Sequence, residues 1–137
     1  MSADALQSGS FHAELLTLSI TVKDLQKSLE WYTEILGFSI YRKLERDGKL
    51  RGYALKAGNV GISINQDDGA KGWDRIKGLG FSFRFTTEQS VDEIAQRFKK
   101  HNYKLDLEPT DMSWGVRAIR ATDPDGFKLS ISKALSR

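Results

Sequence analysis

Catalysis and tight ligation need donors, acids, bases or nucleophiles, and this chain of 137 residues lacks several of them. It has no cysteine, which removes disulfides, thiolate metal sites and cysteine nucleophiles. Its two histidines, His12 and His101, are too few for an all-histidine zinc site in one chain. His12 and Glu14 stand two apart and would share a face if a strand began that early; otherwise they are an exposed pair in a tail. Asp67 and Asp68 would point oppositely in a strand, so a shared site needs a turn; without one they are part of a polar loop. His101 falls at a helix end, where a cation complements the dipole. Asp123 and Asp125 sit in Asp123-Pro124-Asp125-Gly126, a run that makes turns before it makes acid–base pairs. No nucleophile elbow and no glycine-rich phosphate loop is present.

Two residues are sharper candidates. Arg84 lies on the Ser82/Arg84 side of an alternating segment. If that side faces a cavity, the guanidinium either pairs with a carboxylate or waits for an anionic or carbonyl-bearing ligand. If the phenylalanines line the cavity instead, Arg84 faces solvent. Trp114, before Gly115, either offers a flat stacking surface at a pocket edge or packs one half of the chain on the other. Trp31 reads as part of a helix, and Trp73 as either a loop anchor or a contact surface.

The elements that position these residues come twice. Leu16–Val22 alternates apolar and hydroxyl side chains, the pattern of a half-buried strand. Asp24 then caps a predicted helix over 24–36, with Gly37 as its stop. Strands follow over 38–45, 50–57 and 60–65, the first two joined at Asp47-Gly48. Residues 66–80 carry charges and glycines and read as a solvent-rich connection. The second half opens with alternating Phe81, Phe83 and Phe85 and a Ser90/Glu93 capping box. A helix to about 101–102 and strands over 104–107, 116–122 and 127–132 complete it. The order is βαβββ twice, an α+β chain. The expected divisions are a flexible tail over 1–14, a first module over 15–65, the connection over 66–80 and a second module over 81–137.

Composition narrows the functional classes. Hydrophobic residues make up 39% and charged residues 28%, as in a globular protein. No apolar run approaches 18 residues and no secretory signal is visible, which leads to the expectation of a cytoplasmic protein without membrane association. The net charge of +3 is scattered, so nucleic acid is not an expected partner.

Two segments carry a family resemblance. Val22-Lys-Asp-Leu-Gln-Lys-Ser-Leu-Glu-Trp-Tyr-Thr-Glu-Ile-Leu-Gly-Phe38 resembles the opening helix signature of the vicinal oxygen chelate superfamily. This group includes glyoxalase I, extradiol dioxygenases, fosfomycin-resistance enzymes and bleomycin-resistance proteins. Ser113-Trp-Gly-Val-Arg117 with Asp123-Pro-Asp-Gly-Phe-Lys-Leu129 is similar to its closing signature. The resemblance implies paired modules forming a cupped, mostly antiparallel sheet around a cavity. It also implies a homodimer in which two chains complete each cavity. Carried over by position, the superfamily's four metal-ligand sites fall on Thr17, Ser63, Gly80 and Ser130. Hydroxyls are weak ligands for a divalent metal, and glycine offers no side chain.

The expectation is therefore a small-molecule-binding protein with no metal, no cofactor and no catalytic residue. It would capture a planar or anionic compound among Thr17, Ser19, Ser63, Ser82, Arg84, Trp114 and Ser130. Bleomycin itself is cationic and is opposed by the positive chain. The alternative is a lyase or dioxygenase with a displaced metal held by some of His12, Glu14, Asp67, Asp68, Glu108 and Asp111. A third reading is an interaction module whose own side chains fill the cleft.

Overall fold

Alternation in the sequence becomes register in the fold. The computed structural model describes residues 9–136; residues 1–8 of the expected tail lie outside the described residues. β1 (Leu16–Val22) buries Ile20 and Val22 and leaves Thr17 and Ser19 on its open side. Asp24 caps α1 (Leu25–Glu30), its carboxylate accepting the Lys27 amide at 3.1 Å. The single helix predicted over 24–36 changes pitch midway. A π-helical turn spans Trp31–Ile35, and the Leu36 amide donates to the Trp31 carbonyl at 3.2 Å. The wider turn lets Trp31, Tyr32 and Ile35 all enter the core. Gly37, at φ +93°, ends the helix, and the Phe38 amide returns to the Tyr32 carbonyl at 2.9 Å.

Three strands follow: β2 (Ser39–Arg46), β3 (Lys49–Ala57) and β4 (Val60–Gln66). Asp47 and Gly48 both take positive φ, as a tight two-residue hairpin requires. The sheet order is β1-β4-β3-β2, with β1 parallel to β4 and the other pairs antiparallel. The second half repeats this plan with β5 (Phe83–Thr86), α2 (Val91–Lys100), β6 (Leu107–Asp111), β7 (Val116–Thr122) and β8 (Lys128–Ala134). Its order is β5-β8-β7-β6, again with one parallel pair, β5–β8. The chain is thus α+β, built of two cupped βαβββ modules.

Two strands differ from the sequence-based expectation. β5 begins at Phe83, leaving Phe81 half exposed. The strand expected over 104–107 instead runs over Leu107–Asp111 and contains Pro109. Proline is tolerated there because β6 is an edge strand, with an irregularity between Leu107 and Thr110.

The modules meet chiefly where the π-helical turn packs on α2. Trp31 packs edge-on against Phe98 and Tyr103, and Phe38 against Phe85. Arg97 of α2 donates to the Ile35 and Leu36 carbonyls, both at 2.9 Å, so one module caps the helix of the other. The Tyr32 hydroxyl donates to Asp123 at 2.6 Å across the same seam.

The connection between modules is less solvent-rich than expected. Asp67 is buried and accepts from Lys77 at 3.0 Å and Arg75 at 3.3 Å. The Lys77 ammonium, also buried, reaches Asp125 at 3.3 Å. Asp125 in turn accepts the Lys23 amide at 2.7 Å. A buried lysine shared by two carboxylates therefore ties the connection to both modules.

Candidate functional site

Strand register sorts the candidate residues into two groups. On the open side of the first sheet, Thr17 pairs with Gly61 and Ser19 with Ser63. A Cβ on Gly61 would come within 2.9 Å of the Thr17 hydroxyl, so glycine is what lets that hydroxyl lie flat on the sheet. Asn65, two residues beyond Ser63, donates to the Ser19 hydroxyl at 3.1 Å and the Ile20 carbonyl at 3.2 Å. This face is polar and carries no carboxylate donor at these positions.

On the corresponding side of the second sheet, Arg84 pairs with Ser130, and Ser130 with Arg120. Phe83 and Phe85 turn to the core, so the register sends Arg84 to the open side with Ser130. Lys128, two residues before Ser130, shares that side. An open cavity of about 870 Å³ gathers Ser82, Arg84, Asp106, Arg120, Lys128 and Ser130. Arg120 and Lys128 were missed in the sequence reading. Their alternation with Ile119, Ala121 and Leu129 was a usable signal, but only the ladder shows that they flank Ser130.

Trp114 stands apart from both groups. It lies in the turn between β6 and β7, exposed, and does not line the cavity beside Ser130. Gly80 lies before β5, at φ +83°. Continuing the Phe83–Leu129 register by one residue sets Ser82 beside Lys128. Ser82 therefore takes the place in the second module that Thr17 takes in the first.

The residues at the four superfamily ligand positions do not fit a divalent metal. Three bear neutral hydroxyls and one is glycine, and Ser82 in place of Gly80 changes nothing in donor type. The alternative ligands are dispersed and engaged. His12 and Glu14 pair with each other at 2.8 Å in the open. Asp67 holds Lys77 and Arg75, and Asp68 accepts the Ala70 amide at 2.9 Å. Asp111 binds Arg117 at 2.8 Å, and Glu108 sits by α2. Among the described residues, no three His, Cys, Asp or Glu side chains converge.

The shifted groups lie at the seam, in the connection and in the Asp92–Arg117–Asp111 cluster of the second module, where Arg117 lowers the Asp92 carboxyl. Hydrogen bonding from the Gly69 amide, then from Lys77, draws the Asp67 carboxyl down to about 2. Burial raises the Asp123 carboxyl from its ordinary value, against the pull of the Tyr32 hydroxyl. Burial also pushes the Tyr103 phenol up to about 12, its hydroxyl donating to the Thr122 carbonyl at 2.6 Å. Asp123 accepts the Asp125 and Phe127 amides, both at 2.9 Å, as a turn-former does. His101 donates its Nδ1–H to the Arg97 carbonyl at 2.8 Å, at the helix end.

Comparison with known proteins agrees with this architecture. Residues 12–131 match the model of the Glyoxalase/Bleomycin resistance protein/Dioxygenase superfamily, and the chain belongs to that superfamily. A protein named probable lactoylglutathione lyase, from Synechocystis sp., is 29% identical over 129 residues, covering 90% of this chain and 97% of its own. The solved structure of a glyoxylase/bleomycin resistance protein/dioxygenase domain from Frankia sp. aligns with a TM-score of 0.76 at 22% identity, over 90% of this chain and 93% of that one. TioX from Micromonospora sp. ML1 aligns with a TM-score of 0.71 at 16% identity, over 90% and 100%. These likenesses in structure establish the fold. No helix among the described residues is long and apolar enough to cross a membrane.

Proposed function

We propose that this chain is a small-molecule-binding member of its superfamily, akin to the bleomycin-resistance branch, that captures a planar or anionic organic compound without a metal. The observation that carries this is the residue set at the superfamily's ligand positions: Thr17, Ser63, Gly80 and Ser130. Hydroxyls of this kind hydrogen-bond an organic ligand well and hold a divalent ion poorly. The ligand-binding set is Thr17, Ser19 and Ser63 on one sheet and Ser82, Arg84 and Ser130 on the other; Trp114, expected in this set from the sequence, stands apart in the turn between β6 and β7 and is left out of it. Apolar area that the ligand buries adds on the order of 25 cal/mol per Å² before ordering costs, beside the hydrogen bonds from the hydroxyls and Arg84. The protein works in the cytoplasm as a homodimer, in which a second copy covers the open face of each sheet.

A second reading is a lyase with a displaced divalent-metal site. The name of the Synechocystis relative favours it, and the donor set argues against it. Thermal shift against a small-molecule library tests the binding reading. A binder raises the melting temperature by mass action, and Ser130→Trp, which fills the cup, should abolish the rise. Turnover of a hemithioacetal by metal-loaded protein, lost on chelation, would instead establish the lyase.

A further inference from the structure

The open face of the second sheet carries charge of one sign. Arg84, Ser130 and Arg120 stand side by side across β5, β8 and β7. Two strand spacings put the Cα atoms of the arginines roughly 10 Å apart, with Ser130 between them. Both guanidinium groups can therefore reach over that serine. Lys128 adds a third cation on the same side of β8.

Neighbouring like charges on a sheet face repel, and exposed faces ordinarily interleave the two signs. Here they do not. Among the described residues, Arg84, Arg120 and Lys128 make no ion pair, whereas Arg75, Lys77 and Arg117 all do. The one carboxylate at the cavity, Asp106, accepts the Thr122 hydroxyl at 2.6 Å. Ser130 is also the position at which the superfamily resemblance expects a metal ligand. A site meant for a cation has become one that repels a cation and attracts an anion.

We infer that the Arg84–Ser130–Arg120 row, with Lys128, is a clamp for the phosphate group of a small organic molecule. A carboxylate brings one charge and two oxygens, which a single arginine fork satisfies. A phosphate dianion brings two charges and three peripheral oxygens. Two forks give four N–H donors, and the ammonium and the serine hydroxyl add one each, about two donors for each of those three oxygens. The cavity of about 870 Å³ leaves space for the organic remainder beside Leu107. This inference rests on reading the open face as a ligand site; it does not depend on whether the protein also uses a metal.

Calorimetric titration of the full chain with inorganic phosphate, and with acetate at matched ionic strength, tests the clamp. Phosphate should bind saturably, one per chain, at least tenfold tighter than acetate. Arg84→Gln and Arg120→Gln should each weaken phosphate at least tenfold, and Lys43→Gln on the first sheet should stay within twofold of the parent. The three residues are exposed, and melting curves would verify that the variants fold. Phosphate binding no tighter than acetate, or equal across the three variants, overturns the clamp. An uncharged compound bound alike by the parent and both arginine variants, with phosphate inert, removes the clamp and leaves the wider binding reading standing. Arginine-dependent phosphate binding in a protein that also retains stoichiometric metal upholds the clamp and removes the metal-free reading.

Discussion

The residues that hold this molecule together are distinct from those on its open faces. Tyr32 and Asp123 form a buried pair at 2.6 Å between the modules. Tyr32→Phe leaves the carboxylate short of a donor it cannot replace with water. It should cost about 1–3 kcal/mol in urea unfolding; a variant as stable as the parent would show that the bond is incidental. Asp67 makes a pH prediction. Its carboxyl falls from 3.8 to about 2 in the folded chain, so it contributes stability that is complete above pH 3.8 and is lost as the pH falls through about 2. Asp67→Asn should flatten the stability profile in that acid range and leave its neutral-pH slope unchanged. These roles were only partly legible in the sequence. Asp123 and Asp125 were readable as turn-formers from Asp-Pro-Asp-Gly. Their partners Tyr32, Lys23 and Lys77 are 91, 102 and 48 residues away and could not be.

Elements were more legible, because their signals are local. Caps at Asp24 and Ser90, the stop at Gly37 and the Asp47-Gly48 hairpin all fall where chain chemistry dictates. The π-helical turn was not legible, since a 3.6-residue stripe and one slightly wider place the same apolar residues inside. β6 was misplaced because Pro109 argues against a strand until the strand is known to lie at an edge. The open faces were readable as alternation, but not as pairs. Gly52 illustrates the difference: a side chain there would run into the Ile64 carbonyl on the neighbouring strand. Gly52→Ala should therefore destabilise the first sheet by about 1–3 kcal/mol through overpacking. An unchanged midpoint would mean the strands can move apart at no cost.

At the scale of the whole molecule, two similar modules join back to back through their helices and leave both polar sheet faces open. On the proposed reading, a second copy closes each face. Sedimentation at micromolar concentration should give a species of twice the 15.4 kDa chain mass; a stable single-chain species would contradict the pairing. The central claim concerns what those faces hold. Hydroxyls in the same rows as Arg42 and Lys56 on one sheet, and hydroxyls ringed by cations on the other, suit an organic oxyanion and not a transition ion. The most direct test is elemental analysis of protein purified without chelator, exposed to Ni, Zn, Mn and Fe salts and dialysed. The account predicts far less than one metal per chain. One tightly retained ion per chain, lost when Ser63 and Ser130 are both changed to alanine, would contradict it.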